Sequence, residues 1–221
     1  MMGNKGGAAV RMNFYDSTLC FVCAHLAAHR ENVAGRNADY LNILSKIDFK
    51  ENDETLTTDM RFFSGDPPIL NHDVVFWLGD LNYRVAEGLS TEECLQLADA
   101  QHFDKLLACE QLLLERRRGH AFHEFEEGPI TFPPTYKYQQ GTNIYECRPE
   151  KKLRAPAWCD RVLWRSKTAG QATLCAYDHV PALDISDHKP VHASFDVQIK
   201  HQVEAKKTLV MREIMLQLDK W

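Results

Sequence analysis

The sequence predicts an α/β protein in which packed β-sheets are flanked by helices, and three observations carry that prediction. Short apolar or alternating runs of strand type recur between Ala8 and Val197. The stretches Glu31 to Ile47 and Thr91 to Leu114 repeat their apolar residues at helical spacing. The chain has 221 residues, 44% hydrophobic and 26% charged, which is enough for one sizeable domain and short for two.

The elements follow in order. Ala8 to Phe14 and Thr18 to Ala24 read as strands around a turn at Tyr15-Asp16-Ser17. In the helix from Glu31 to Ile47, the residues Val33, Asn37, Tyr40, Leu41, Leu44 and Ile47 share one face. Asp48 to Asn71 is polar, contains Gly65 and Pro67-Pro68, and reads as a surface loop. Asp73 to Leu78 is a continuous apolar run, which suits a strand buried on both faces. Thr91 to Leu114 reads as helix with a break near Gln101-His102, capped at its start by Ser90 or Thr91 ahead of Glu92-Glu93. Arg161 to Trp164, Ala172 to Tyr177 and Val191 to Val197 read as strands, the last alternating Val191, Ala193, Phe195 and Val197 with polar residues. In the tail, Val210, Met211, Ile214, Met215, Leu218 and Trp221 form a helical stripe opposite Lys207, Arg212, Glu213 and Gln217. Such a helix is expected to dock on this domain or lead into another.

Net charge is −5, which disfavours a general nucleic-acid binder, because a duplex reader carries a basic field. An anionic ligand must therefore meet locally clustered Lys and Arg. Seven Cys without a signal-like N-terminus fit a reducing, intracellular compartment. Cys20 and Cys23 lie in one strand, three residues apart and so on opposite faces, which argues against a metal or redox pair. No apolar stretch approaches transmembrane length.

Two short segments carry the chemistry, Trp77-Leu78-Gly79-Asp80-Leu81-Asn82-Tyr83-Arg84 and Ser186-Asp187-His188-Lys189-Pro190-Val191. An Asp with an Asn two residues on, and an Asp joined to a His, are what metal-assisted attack of water on a phosphate ester requires. Taken alone, each is equally a turn in which Asp and Asn bond their own backbone. Asp160, in Trp158-Cys159-Asp160-Arg161, is a candidate to orient His188, the alternative being an ion pair between Asp160 and Arg161 or another base. His25 and His29 have half the spacing of a zinc site but lack its Glu and a third ligand. His25, at a strand end, is better placed to donate to a phosphate oxygen. Basic residues cluster in the loops holding Asn4-Lys5-Gly6-Gly7, Tyr136-Lys137 and Lys152-Leu153-Arg154. Each loop is most simply a solvated turn, but Tyr136 with Lys137, and Lys152 with Arg154, also suit a further phosphate.

In order along the chain, Met2 to Gly7, His25 to His29, Arg36 to Tyr40, Trp77 to Arg84, Phe132 to Tyr138, Arg154 to Arg161 and Ser186 to Val191 resemble the inositol polyphosphate 5-phosphatases, most closely the type II enzymes. The resemblance covers about residues 2 to 197, with Gly-Asp-Leu-Asn-Tyr-Arg and Pro-Ala-Trp-Cys-Asp-Arg its most specific motifs. It implies the four-layer α/β/β/α sandwich of the endonuclease/exonuclease/phosphatase superfamily. It also implies Mg²⁺-dependent removal of the 5-phosphate from inositol lipids such as phosphatidylinositol 4,5-bisphosphate. By motif, Asp80 positions or activates the water, Asn82 holds the scissile phosphate, and His188, paired with Asp160, stabilises the transition state. His25 contacts the 5-phosphate, and Asp187 joins Asp80 in the metal and water network. Tyr136, Lys137, Lys152 and Arg154 match residues that read the 4-phosphate, and Asn4 and Lys5 lie on the 1-phosphate side.

One departure stands out. Members of that family carry further N-terminal strands with a Thr-Trp-Asn and a Gln-Glu segment, and that Glu is their principal Mg²⁺ ligand. Neither segment occurs here, so sheet edges and apolar surface are expected to be left uncovered and the chain alone to turn over little substrate. Residues 1–199 are thus expected to form a partial catalytic domain, and 200–221 a connector helix toward a further domain with possible protein partners. The expected ligands are a phosphoinositide headgroup or an inositol polyphosphate, met in the cytoplasm at a peripheral membrane surface, endomembrane or plasma membrane, without nucleic acid. The alternatives are a catalytically inactive phosphoinositide- or protein-binding fragment, and a nuclease of the same superfamily.

Overall fold

A computed structural model of the chain describes residues 3–49, 68–86 and 88–218. Strand β1 (Gly6–Phe14) turns back through Tyr15 and Asp16 into β2 (Ser17–His25), and the two pair antiparallel from Gly6↔His25 to Phe14↔Ser17. Helix α1 (Val33–Lys46) follows, as a parallel pairing needs a crossover. Strand β3 (Val74–Asp80) then lies parallel to β2. Strand β5 (Asp160–Ser166) joins β3 antiparallel, and the two-residue β4 (Glu126–Glu127) closes a five-stranded sheet of order β1-β2-β3-β5-β4. Strands β6 (Ala172–His179) and β7 (Val191–Val197) pair antiparallel as a second sheet.

The apolar run of β3 is buried on both faces, as its lack of alternation requires. On one side Trp77 meets Tyr40 of α1, at 5.2 Å between ring centroids, and Phe122 at 5.1 Å. On the other, Phe76 meets Phe195 of β7 at 4.8 Å, and Trp164 of β5 meets the same ring at 5.0 Å. The second sheet therefore covers the β3–β5 part of the inner face. On the β1–β2 part, Val10, Met12, Phe14 and Phe21 stay exposed.

The helices show where periodicity misleads. The apolar face of α1 is Arg36, Tyr40, Ile43 and Leu44, while the expected Leu41 is exposed. Arg36 turns inward because its guanidinium finds the carbonyls of Ala27, His29 and Arg30 and the amide of Gln111. The expected helix from Thr91 to Leu114 is three pieces: α2 (Thr91–Asp99), α3 (Phe103–Ala108) and α4 (Gln111–Arg117). Ser90 caps α2 with a reciprocal bond to Glu93. The break at Gln101 was expected. The one at Glu110 was not, and there the carboxylate caps α4 through Leu113 N. Helix α5 (Glu204–Leu218) has no buried residue. Docking on this domain is thus the expected fate that the structure does not show, and Trp221 lies outside the described residues. Residues 50–67 of the expected surface loop lie outside them too, and Pro68–Asn71 is a 3₁₀ turn that buries Ile69 and Leu70.

Gly79 is the tightest backbone position. Its φ is +131°, and a Cβ there would stand 2.1 Å from the carbonyl oxygen of Ala24, its register partner on β2. Gly79→Ala is expected to cost more than about 1–3 kcal/mol, the strain of the backbone alone, because the clash adds to it. Urea unfolding measures the loss, and an unchanged midpoint would contradict the close approach.

Candidate active site

Strand register assembles the first row of the site. His25 ends β2, Asp80 ends β3 and Asp160 opens β5, and the pairings His25↔Asp80 and Asp80↔Asp160 set all three side by side at one sheet end. The Nε2 of His25 lies 3.1 Å from Asp80 Oδ2, and the Lys5 ammonium hydrogen-bonds the same ring nitrogen. Burial holds Lys5 below the usual lysine range.

His188 arrives from a distant loop. Tyr136 forms isolated bridges to both Ala157 and His188, which ties that loop to the strand-like approach to Asp160. His188 Nδ1 then sits 2.8 Å from Asp160 Oδ2, which also accepts from Thr135 Oγ1 at 3.2 Å. A proton on Nδ1 toward Asp160 leaves Nε2 as the ring atom for the substrate side. Arg161, the rival partner for Asp160, instead reaches Glu110 and Glu127. Burial pulls the His188 imidazole down, but Asp160, Asp80 and Asp187 together hold it above its ordinary value. Asp80 is pushed up, first by burial and then by the Asp160 charge.

Asn82 follows at φ +57°, buried beside this row. Its backbone N–H donates to Asp80 Oδ1 at 3.1 Å, so the turn that bonds its own carboxylate exists within the functional arrangement. Its Nδ2 donates to Leu26 O at 3.0 Å, and its Oδ1 accepts from Arg84 at 2.5 Å.

Among the described residues, one group of metal-capable side chains converges: ligand atoms of Asp80, Asp160 and His188 lie within 4.8 Å of one another. Two part-exposed carboxylates beside an imidazole suit a small hard cation, so the donor set fits a divalent metal. Asp187, the other expected ligand, stays outside this group. Asp187 sits in the bend at 185–187 that leads into His188. There the Asp187 carboxylate lies 4.0 Å from Lys137 Nζ. His29 lies outside the cluster as well.

Of the expected phosphate-reading residues, Tyr136 and Arg154 line one cavity of about 160 Å³, together with His29, Arg30 and Arg84. Lys137 lines a second, more open one of about 380 Å³ with Arg148, Lys151 and Asp187. Asn4 and Lys152 are exposed. Sequence reasoning gave no role to Arg84 or Thr135, although both stand inside motifs it had singled out. Arg30 carried no signal, and its side chain bonds the carbonyls of Val85, Ala86 and Leu89.

The family model described as Endonuclease/Exonuclease/phosphatase family 2 matches residues 1–194. The type II inositol 1,4,5-trisphosphate 5-phosphatase of Mus musculus is 40% identical over 221 residues, 99% of this chain and 21% of that protein. Synaptojanin-1 of Homo sapiens is 37% identical over 93% of this chain and 13% of its own length. The solved inositol polyphosphate 5-phosphatase domain of SPsynaptojanin, in complex with inositol (1,4)-bisphosphate and calcium ion, superposes with a TM-score of 0.84 at 36% identity. That match covers 99% of this chain and 58% of that one. The chain thus spans about a fifth of the first of these relatives and somewhat over half of the solved domain.

Proposed function

The chain belongs to the endonuclease/exonuclease/phosphatase family and, within it, to the inositol polyphosphate 5-phosphatases, and on that premise we propose that it hydrolyses the 5-phosphate of phosphoinositides such as phosphatidylinositol 4,5-bisphosphate. The observation that carries this reading is the Asp160–His188 pair set against Asp80 at one sheet end. Asp80 takes a proton from the attacking water as the water oxygen bonds to phosphorus. The bond from phosphorus to the inositol 5-oxygen breaks, and that oxygen leaves as a hydroxyl with a proton taken up from solvent. His188, protonated and held by Asp160, faces the negative charge that grows on the phosphoryl oxygens. Asn82 offers an amide hydrogen to those oxygens, and His25 borders them from β2. Mg²⁺, held by Asp80 and Asp160, supplies Lewis-acid neutralisation of the phosphate when bound.

Tyr136 and Arg154, which line a common cavity, are suited to a neighbouring phosphate. A lipid-borne substrate also fits the rim. Ile144, Leu183 and Ile185 are exposed on loops that Gly141 N ties to Asp184 O and Gln140 to Ile185 O. No helix among the described residues is long and apolar enough to cross a membrane, so contact with a bilayer would be peripheral.

The test is phosphate release from phosphatidylinositol 4,5-bisphosphate in Mg²⁺, with the lipid product identified as the 4-phosphate. Lipid binding without release would replace hydrolysis by a binding role, and nicking of plasmid DNA would favour a nuclease.

A further inference from the structure

The Asn82 amide has one acceptor and two hydrogens to place, and its environment constrains which edge faces the site. Arg84 donates to Oδ1 at 2.5 Å, and Leu26 O takes one Nδ2 hydrogen at 3.0 Å. Turning the amide over would set its N–H₂ against a guanidinium that can only donate. One hydrogen therefore remains uncommitted, and the amide keeps its donor edge for a phosphate oxygen.

Arg84 is itself held on several sides. Its backbone N–H donates to Gln111 Oε1 at 2.8 Å, and the same oxygen accepts from Arg36 at 2.6 Å. Its Nε donates to the carbonyl of Asn82 at 3.2 Å, so the side chain curls back on its own turn. The guanidinium plane lies 4.4 Å from the Tyr136 ring centroid, and that ring lies 4.6 Å from His188. One buried side chain thus touches both Asn82 and the residue whose ring packs at a tilt against His188, which sit on different loops.

We propose that Arg84 is a positioning residue of this site, fixing the Asn82 amide donor-edge outward and supporting the Tyr136–His188 ring contact. The role rests on the hydrolytic reading above but concerns geometry that exists without substrate. A lysine keeps the charge yet offers a single nitrogen, which cannot meet Oδ1, the backbone carbonyl and the aromatic face together.

The experiment uses Arg84→Lys, Asn82→Ala and the double variant. With phosphoinositide and Mg²⁺, Arg84→Lys is expected to lower kcat about 10-fold or more while KM moves less than about 3-fold. In the Asn82→Ala background the same change should cost clearly less than in wild type, because the Asn82 route is already removed and only the Tyr136 contact remains. Equal losses in both backgrounds, or a loss confined to KM, would overturn the proposal. A second readout is independent of turnover: the Asn82 side-chain amide signals in NMR, assigned by their loss in Asn82→Ala. In metal-free wild-type protein, inorganic phosphate should shift that pair, and in Arg84→Lys the shift should vanish. An identical response in both would overturn the proposal even if turnover is normal, whereas absent turnover with the expected NMR result would sink only the hydrolytic reading. If Arg84→Lys does not fold, the wild-type spectrum decides. Separate, slowly rotating Arg84 Nη signals support the clamp, and one averaged set refutes it.

Discussion

Replacing His188 by Gln is expected to lower phosphate release about 10²- to 10⁴-fold, the usual worth of a positioned acid–base group, with little change in lipid binding. Binding persists because Tyr136 and Arg154 lie in a separate cavity that His188 does not line. Asp160→Asn should give a smaller loss with a telling pH signature. In wild type the imidazole stands above its ordinary value because Asp160 and its neighbours outweigh burial. Without the Asp160 charge the imidazole loses its strongest support, so the protonated form is lost at lower pH and the alkaline limb of the rate profile moves down. Stability carries the same sign. A histidine whose folded value is raised contributes stability that is fully present below about pH 6.5 and disappears as pH climbs through the folded value. The stability deficit of His188→Gln should therefore be greatest in mild acid and fade in alkali. Steady-state rates and urea midpoints across pH test both. A His188→Gln enzyme within a few-fold of wild type would remove this residue from the chemistry.

The parts of the fold legible in the sequence are those where one local force dominates. The buried run at Val74 to Leu78 and the alternation from Val191 to Val197 each have a single backbone state that hides their apolar atoms. Asp80, Asp160 and His188 were each visible as polar groups at strand boundaries. What brings them together is the register of β3 with β5 and a bridge from Tyr136, which no local pattern encodes. Misreadings cluster where charge overrides periodicity. Arg36 takes a place on the buried face of α1 because carbonyls await it, and Glu110 interrupts a helical pattern because its carboxylate caps the next helix. Strand β4 is two glutamates, a composition that argues against a strand, and it forms where Glu127 meets Arg161. The apolar stripe of α5 was real as a pattern, but a pattern does not say what covers it.

That same Glu127–Arg161 contact carries the largest stability effect expected here. Arg161 is fully buried next to Asp160, with its Nε 2.6 Å and one Nη 2.8 Å from the two oxygens of Glu127. Its other Nη lies 3.0 Å from Glu110 Oε1, off the line of a hydrogen bond, so that contact is ionic attraction alone. Tyr177 donates to Glu127 from the second sheet, and Arg116 approaches it from α4. The cluster therefore joins both sheets to the helical layer one residue from Asp160. Arg161→Met strands the buried Glu110 and leaves Glu127 with Arg116 as its cation, and it is expected to cost about 3–5 kcal/mol, the usual penalty for breaking a buried pair by removing one partner. The cost should be pH-dependent in a definite direction. Burial already pushes Glu110 up, and with the cation gone its carboxyl would titrate higher still, so the variant binds more protons folded than unfolded. Its deficit must then narrow as pH falls. Adding Glu110→Leu and Glu127→Met should recover part of the stability at neutral pH, because both acids that faced Arg161 are gone while Arg116 loses its carboxylate partner. Recovered stability without recovered turnover would show that the ion cluster aims Asp160 at His188. Recovery of both would reduce it to a structural joint. Urea midpoints for the single and triple variants, measured with turnover, distinguish these outcomes, and a single variant as stable as wild type would contradict the buried pairing itself.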